Sequence, residues 1–413
     1  MKKMFSGEVF FALFLLSGVF KESLGINVDL AAVFLVLTTL SILKRIYKNP
    51  SINKINVIPI ALFFIFSVLI FLSFFYSPNL ELTQNKTIKF VLLTTPAFVF
   101  PFILFKSKAS ITRFLIAIAS IATIMSLFSL PMIFQRGDAI GFVGFNDGNY
   151  LGLARVNGMG LVILLFLGIL NNKFKKYRLI FLISVVVVLI SLLSSGGRMP
   201  IIAVSISLLI TIISTIKIKN GYIKYPKYYN KILGLMTLLL IPLVWAYQQG
   251  YFNSIVFRFE TLLKSTGGGS SSLARTDRFS AAIDMFRENF FLGNGFGSFG
   301  DYYKNGIVHD YPHNLFLEIL SELGLVGLFV FSALLIVALV RFIKLGKIKT
   351  IRNDNLFIAV AVVFLVIFIN AMVSGDFNGN RILFTFISII CLLPIIFKDE
   401  VKEKKEEKER LAS

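Results

Sequence analysis

The chain has 413 residues, 56% of them hydrophobic and 15% charged, with a formal net charge of +20. Soluble domains have about 45–50% apolar and about 25% charged residues. Here the apolar excess is gathered into long runs, which excludes a soluble enzyme and indicates a polytopic membrane protein. The single cysteine, Cys391, excludes an intrachain disulfide and a cysteine-based metal site.

Twelve apolar runs are read as spans: about 5–20, 24–43, 56–76, 88–105, 112–134, 157–171, 178–193, 199–216, 231–247, 314–340, 355–373 and 381–397. The expected fold is therefore all-α, a single integral membrane domain over 1–413 with about twelve transmembrane helices. The start, Met1-Lys2-Lys3 and then an apolar stretch, resembles a signal peptide. No small-residue cleavage site follows, so it is read as a retained first helix, with Glu8 making it the weakest span. The 45 phenylalanines suit lipid-facing helices. Runs seven and eight are split by Ser194-Ser195-Gly196-Gly197-Arg198, where Gly197 and Pro200 predict a turn.

Basic residues set the expected orientation. With a cytoplasmic N-terminus, the internal segments hold 23 lysines and 6 arginines, and the external ones 5 lysines and 8 arginines. This distribution argues against nucleic-acid binding and puts both termini, including a solvated tail at 398–413, in the cytoplasm. The external arginines are the informative class, because the planar fork suits bidentate binding of phosphate or carboxylate. Contact with lipid headgroups is the plain alternative for any one of them.

The longest external segment is the loop at 248–313, between spans nine and ten. Residues 253–264 predict a short amphipathic helix, and Gly267 to Ser272 a flexible break. Thr276 to Asn289 predicts a helix with Phe279, Ala282, Ile283 and Phe286 on one face. Gly293, Gly295, Gly297 and Gly300 follow, a turn-rich stretch suited to close backbone approach to a ligand, or to simple flexibility. Arg258, Arg275, Arg278 and Arg287 lie in this loop, as do both histidines, His309 and His313.

His313 precedes Asn314, a good N-cap for the tenth helix, and imidazole accepts a proton near neutral pH. A surface histidine bonded to loop backbone is the alternative. Glu318 and Glu322 continue that helix one turn apart, where a carboxylate is costly unless paired or wet. An external arginine is the expected partner, in a structural ion pair. Arg198 starts the eighth helix beside Pro200, joining its charge to the positive end of a helix, a ready anion site. Arg381 is placed similarly at the twelfth, unless it pairs with Asp376. Arg136 and Arg155 flank the external loop between spans five and six. That loop also carries Asn146, Asp147, Asn149 and Asn157, whose amide and carboxylate side chains suit sugar hydroxyls or turns equally. No Asp-x-Asp pair lies on the external side, and the chain has no His-x-x-x-His and no nucleotide-binding loop, so neither a metal nor a cofactor is expected.

Three stretches resemble the bacterial O-antigen ligase and O-antigen polymerase superfamily. They are Ser195-Gly196-Gly197-Arg198-Met199-Pro200, then Arg275-Thr276-Asp277-Arg278-Phe279 with Gly293-Asn294-Gly295-Phe296-Gly297, then His313-Asn314-Leu315-Phe316-Leu317-Glu318 with Glu322-Leu323-Gly324 and Gly327. Together they cover most of 190–330. Phe279 and Asn294 depart from the commoner pattern of Trp and Pro-Leu-Leu, without touching a charged position.

The resemblance implies a metal-independent, inverting glycosyltransferase in the bacterial cytoplasmic (inner) membrane, acting on the extracytoplasmic face. The donor would be a glycan on undecaprenyl pyrophosphate. His313 would be the base for the acceptor hydroxyl. Arg198 and Arg275, with Arg278 as the alternative match, would bind the pyrophosphate. Arg136, Arg155, His309, Asn314, Glu318 and Arg381 are candidate substrate or structural contacts. A polysaccharide polymerase acting on a lipid-linked acceptor is the leading expectation, with a ligase acting on lipid A–core as the alternative and a glycan or lipid transporter behind both. Partners would be the acceptor glycolipid, membrane lipids and, as a candidate, a chain-length regulator.

Overall fold

The computed structural model describes residues 6–21, 28–48, 57–145, 148–219, 222–226, 228–264, 269–304 and 310–398, together with Lys402. Their α-helices in chain order are α1 Gly7–Phe20, α2 Leu30–Lys48, α3 Val57–Leu72, α4 Leu80–Lys89, α5 Thr95–Leu104, α6 Lys108–Arg136, α7 Tyr150–Ile163, α8 Arg178–Ser194 and α9 Arg198–Thr215. Then follow α10 Tyr228–Gln248, α11 Asn253–Lys264, α12 Ser270–Glu288, α13 Phe299–Lys304, α14 Leu315–Gly346, α15 Lys349–Arg352, α16 Asn355–Ala371 and α17 Arg381–Ile396. The expected all-α class needs one small correction. Lys217–Lys219 and Tyr222–Lys224 form a short antiparallel pair, with Ile218 opposite Ile223.

Nine described helical runs are long and apolar enough to cross a membrane, so the protein is a polytopic membrane protein. The other three expected spans are α1, α16 and α17, apolar helices of 14, 17 and 16 residues, short of the ~20 residues that cross a hydrocarbon core. Two starts lie seven or eight residues earlier than the apolar runs predict. The run expected from 88 begins at Leu80, where Asn79 caps α4 by accepting from the Leu82 amide at 3.1 Å, and it continues through a π-helical turn at Phe90–Thr94 into α5. The run expected from 157 begins at Tyr150, capped by Asn149. In both cases polar residues continue the helix beyond its apolar part, which a hydropathy reading does not register.

The chain divides into two compact units. The first comprises Met1–Leu43, Ala109–Ser265 and Asp354–Ile367, and the second Lys44–Lys108, Thr266–Asn353 and Phe368–Ser413. In the first unit α7 packs on α8 and α9, and small residues permit the approach. A Cβ on Gly158 would lie 3.1 Å from the Val204 Cγ2 of α9, and one on Gly160 would lie 2.4 Å from the Ala122 Cβ of α6. Polar groups join α7 to α6 and to α8. Ser126 donates to Asn157 Oδ1 at 3.0 Å, and Asn157 Nδ2 donates to Ser191 Oγ at 3.0 Å. Asn157 is fully buried, so it serves helix association rather than a turn.

In the second unit α3, α12 and α17 pack on α14, and α5 packs on α17. Phenylalanine fills this core. Phe63 stacks on Phe98 with centroids 4.1 Å apart, and Phe377 contacts Phe66, Phe296 and Phe384 at 5.7, 5.4 and 5.1 Å. The expectation that phenylalanine faces lipid is therefore half the picture. Phe64, Phe71 and Phe75 are exposed, but twelve large side chains that are fully buried across the described residues are all phenylalanine. Aromatic rings add geometric preference to burial, which suits helix contacts made where lipid offers no hydrophobic contrast.

The helix α14 is broken at Gly324, whose φ of 63° and ψ of −164° are closed to other residues. A break frees backbone groups that must find partners. The segment after α12 supplies them. The Asn294 and Gly295 amides donate to the Ser321 and Glu322 carbonyls at 3.1 and 2.9 Å, and the Leu325 and Val326 amides donate to Phe290 and Phe291 at 3.0 and 3.2 Å. A Cβ on Gly324 would lie 2.3 Å from the Phe291 carbonyl oxygen. The glycine-rich stretch thus approaches the protein's own helix closely.

Candidate functional site

The deepest charged group in the second unit joins α4 to α14. Lys86 Nζ donates to Glu318 Oε1 at 2.6 Å and to Glu322 Oε2 at 2.5 Å. The two glutamate side chains are 1% and 2% exposed, too dry for a lone carboxylate. The partner expected for them was an external arginine; the structure supplies a lysine. The Phe377 amide also donates to Glu318 Oε1 at 3.0 Å, and the ammonium lies 4.7 Å from the Phe296 ring centroid. Glu318 Oε2 is buried with no hydrogen-bond partner among the described residues. Lys86, Glu318 and Glu322 line a small cleft together with Asn85, Asp310 and Tyr311. Gly297 lines it too; its φ is 100°, and a Cβ there would lie 2.9 Å from the Leu82 carbonyl oxygen.

Beside that cleft runs the segment leading into α14. Asn314 is its N-cap, as expected, accepting from the Leu317 amide at 3.0 Å. Asn314 Nδ2 also donates to the Met372 carbonyl at 3.0 Å. His313, half-buried, has a φ of 59°, and it is the one non-glycine residue with positive φ among the described residues. Such a backbone is sparsely populated and marks a constrained position. The Tyr311 ring lies 4.3 Å from the His313 ring. His309 lies outside the described residues.

Arg278 holds this segment. Its Nε and Nη2 donate to the two Asp310 oxygens at 2.8 and 2.9 Å, and Nη1 donates to the Ala274 carbonyl at 2.8 Å. The Asp310 hydrogen bonds raise the pKa of Arg278 above its usual value. The fork that could grip a phosphate grips Asp310. Arg275 is half-buried on the same helix. That helix starts at Ser270, so Ser270–Ser272 belong to it rather than to a flexible break, and Arg275 lies within it. Its packed face is also rotated. Ala282 and Met285 are buried against Phe299 and Leu317, whereas Ile283 is 38% exposed. Arg381 is buried at the start of α17, and the nearby Asp376 Oδ1 accepts from the Gly379 amide at 2.9 Å.

The first unit gathers a different set. Between α8 and α9 the chain turns as expected, with Gly196 at φ 82°. Arg198 is the first residue of α9. It is 8% exposed, and its Nη1 donates to the Arg258 carbonyl at 3.0 Å. Arg258 returns a bond to the Gly196 carbonyl at 3.0 Å and lies over Phe142 at 4.8 Å. Arg136, at the end of α6, donates to the carbonyls of Gly141, Ser194 and Tyr251 at 3.2, 2.9 and 2.8 Å. Those bonds staple three stretches of main chain. Arg155 lies within α7 rather than in a loop.

Two participants escaped the sequence reading. Lys86 sits in the polar start of a span, and the cue was the buried Glu318–Glu322 pair, which needs a cation. Asp310, next to His309, is the other, and its cue is Arg278, a half-buried guanidinium that takes an anion as its partner. Among the described residues no three His, Cys, Asp or Glu side chains are grouped to hold a metal ion.

Residues 183–332 match the model of a protein family described as O-antigen ligase. No curated protein matches the chain.

Proposed function

On the premise that residues 183–332 form an O-antigen ligase/polymerase family domain, which implies a membrane enzyme acting on lipid-linked glycans, we propose that the protein is a polysaccharide polymerase of the extracytoplasmic membrane face. The His313 imidazole takes the proton of an acceptor sugar hydroxyl, and that oxygen attacks the anomeric carbon of the donor with inversion. The bond from that carbon to the polyprenyl pyrophosphate breaks, and its electron pair leaves on the pyrophosphate oxygen. Arg198 and Arg275 stabilise the charge that grows there, the role in which fixed cations act most strongly. The chemistry needs no metal. A single observation carries the reading: the matched stretch contains His313, Arg198 and Arg275 together with the buried glutamates of α14.

The acceptor decides between polymerase and ligase. Purified protein in lipid nanodiscs is incubated with an undecaprenyl-pyrophosphate-linked repeat, with and without lipid A–core. Lipid-linked glycans that lengthen without lipid A–core support the polymerase. Product formed on lipid A–core alone replaces it with the ligase. Movement of the glycan across liposomes with no new glycosidic bond overturns the enzyme reading altogether.

A further inference from the structure

We propose that the Arg278–Asp310 ion pair is a positioning device that sets the backbone and ring of His313. The inference rests on the reading of His313 as the base and names the residues that make it one. Three observations converge on five consecutive residues, Asp310 to Asn314. At one end Asp310, with a side chain 8% exposed, receives both arms of the Arg278 fork. It also accepts from the Tyr311 amide at 2.9 Å through Oδ1, so the carboxylate fixes its own main chain as well as the link to α12. At the other end Asn314 caps α14 and ties itself to Met372. Between these two anchors lie Pro312, with its locked φ, and His313 at φ 59°.

A non-glycine residue persists in the left-handed region only where its surroundings over-determine it. Here the surroundings are the two anchors, and the chain between them is too short to relax. Tyr311 transmits the constraint to the side chain, because its ring packs against the imidazole at 4.3 Å. Arg278 is itself held by the Ala274 carbonyl and lies 5.3 Å from the Tyr303 ring centroid, so its fork is fixed before it meets Asp310. A lysine would keep the charge and lose the two-point grip.

The test is a double-mutant cycle on the purified enzyme with lipid-linked donor, using Arg278→Lys, Asp310→Asn and the pair together. A base displaced by about 1 Å loses on the order of 10²-fold in rate, so each single variant is expected to lose that much kcat with the donor KM unmoved. The double variant is expected to lose no more than either single one, because both act through one contact. Losses that multiply in the double variant would overturn the proposal. So would a raised donor KM in Arg278→Lys beside a fully active Asp310→Asn, since Arg278 would then touch substrate itself.

A second measurement separates this proposal from the reading beneath it. The chain has two histidines, so ¹⁵N-histidine labelling gives two pairs of imidazole nitrogen signals, and His309→Gln identifies the pair of His313. Asp310→Asn should move the His313 signal, and an unmoved signal refutes the positioning role whatever the activity. Full turnover in His313→Ala would instead remove the base, and the imidazole signal would still judge the clamp. Asp310→Glu, which keeps the charge but displaces it, gives the same two readouts if Asp310→Asn fails to fold.

Discussion

In the first unit Arg136, Arg198 and Arg258 donate to main-chain carbonyls. In the second unit Lys86 and Arg278 donate to the carboxylates of Glu318, Glu322 and Asp310. A carbonyl orients a guanidinium and leaves its formal charge in place, whereas a carboxylate cancels that charge. The first arrangement ties main chain together and keeps the positive charge, and the second holds a neighbouring group still. Cations that look equivalent in sequence therefore separate by the partner each one meets.

The largest effect expected is at His313, the residue that the second unit's scaffold would serve. His313→Ala should lower transfer by roughly 10²–10⁴-fold, the usual contribution of a general base, with the fold intact by circular dichroism. Wild-type turnover would leave the scaffold with nothing to hold. Next is Lys86→Met, which strands two dry carboxylates. Removing one partner of a buried pair costs about 3–5 kcal/mol, to be read from thermal or denaturant unfolding in nanodiscs. Joint replacement of Lys86, Glu318 and Glu322 by Met, Gln and Gln should recover part of that stability, and no recovery would mean that these groups do more than neutralise one another.

The arginines of the first unit sharpen the contrast at smaller magnitude. Arg198→Lys should lose activity, because a charge-assisted hydrogen bond is worth about 1.5–3 kcal/mol and the fork cannot be replaced by an ammonium. Arg136→Lys should lower stability by about 1–2 kcal/mol through its lost carbonyl bonds and leave turnover of the folded protein unchanged. If Arg136→Lys proved the more damaging to turnover, the division between staple and anion contact would fail. Smallest of all is the effect of EDTA, which should leave transfer unchanged, since arginines rather than a metal would meet the leaving pyrophosphate. Strong inhibition by the chelator would refute that mechanism.

The membrane class, nine of the twelve expected spans, the turn before Arg198, α11 and the Asn314 cap were legible along the chain. Each depends on local physics: hydropathy over one helix length, glycine and proline at a turn, or an amide side chain reaching an amide three residues on. The polar beginnings of α4 and α7 were not legible, because hydropathy stops where polar residues start even when the hydrogen-bonded helix continues. The break at Gly324 was hidden for a related reason. Glycine is tolerated within apolar helices, and this break is stabilised by backbone bonds from Asn294 and Gly295, about thirty residues away in the chain.

The sequence by itself determined that this is a helical membrane protein and that residues 183–332 match a family model described as O-antigen ligase. Tertiary structure alone decided which partner each charge would take. Lys86 meets glutamates more than 230 residues away, and Arg278 meets Asp310 across a loop. The physical reason is that a charge removed from water must be paired within a few ångströms, and folding, rather than the order of residues, sets what lies within that distance.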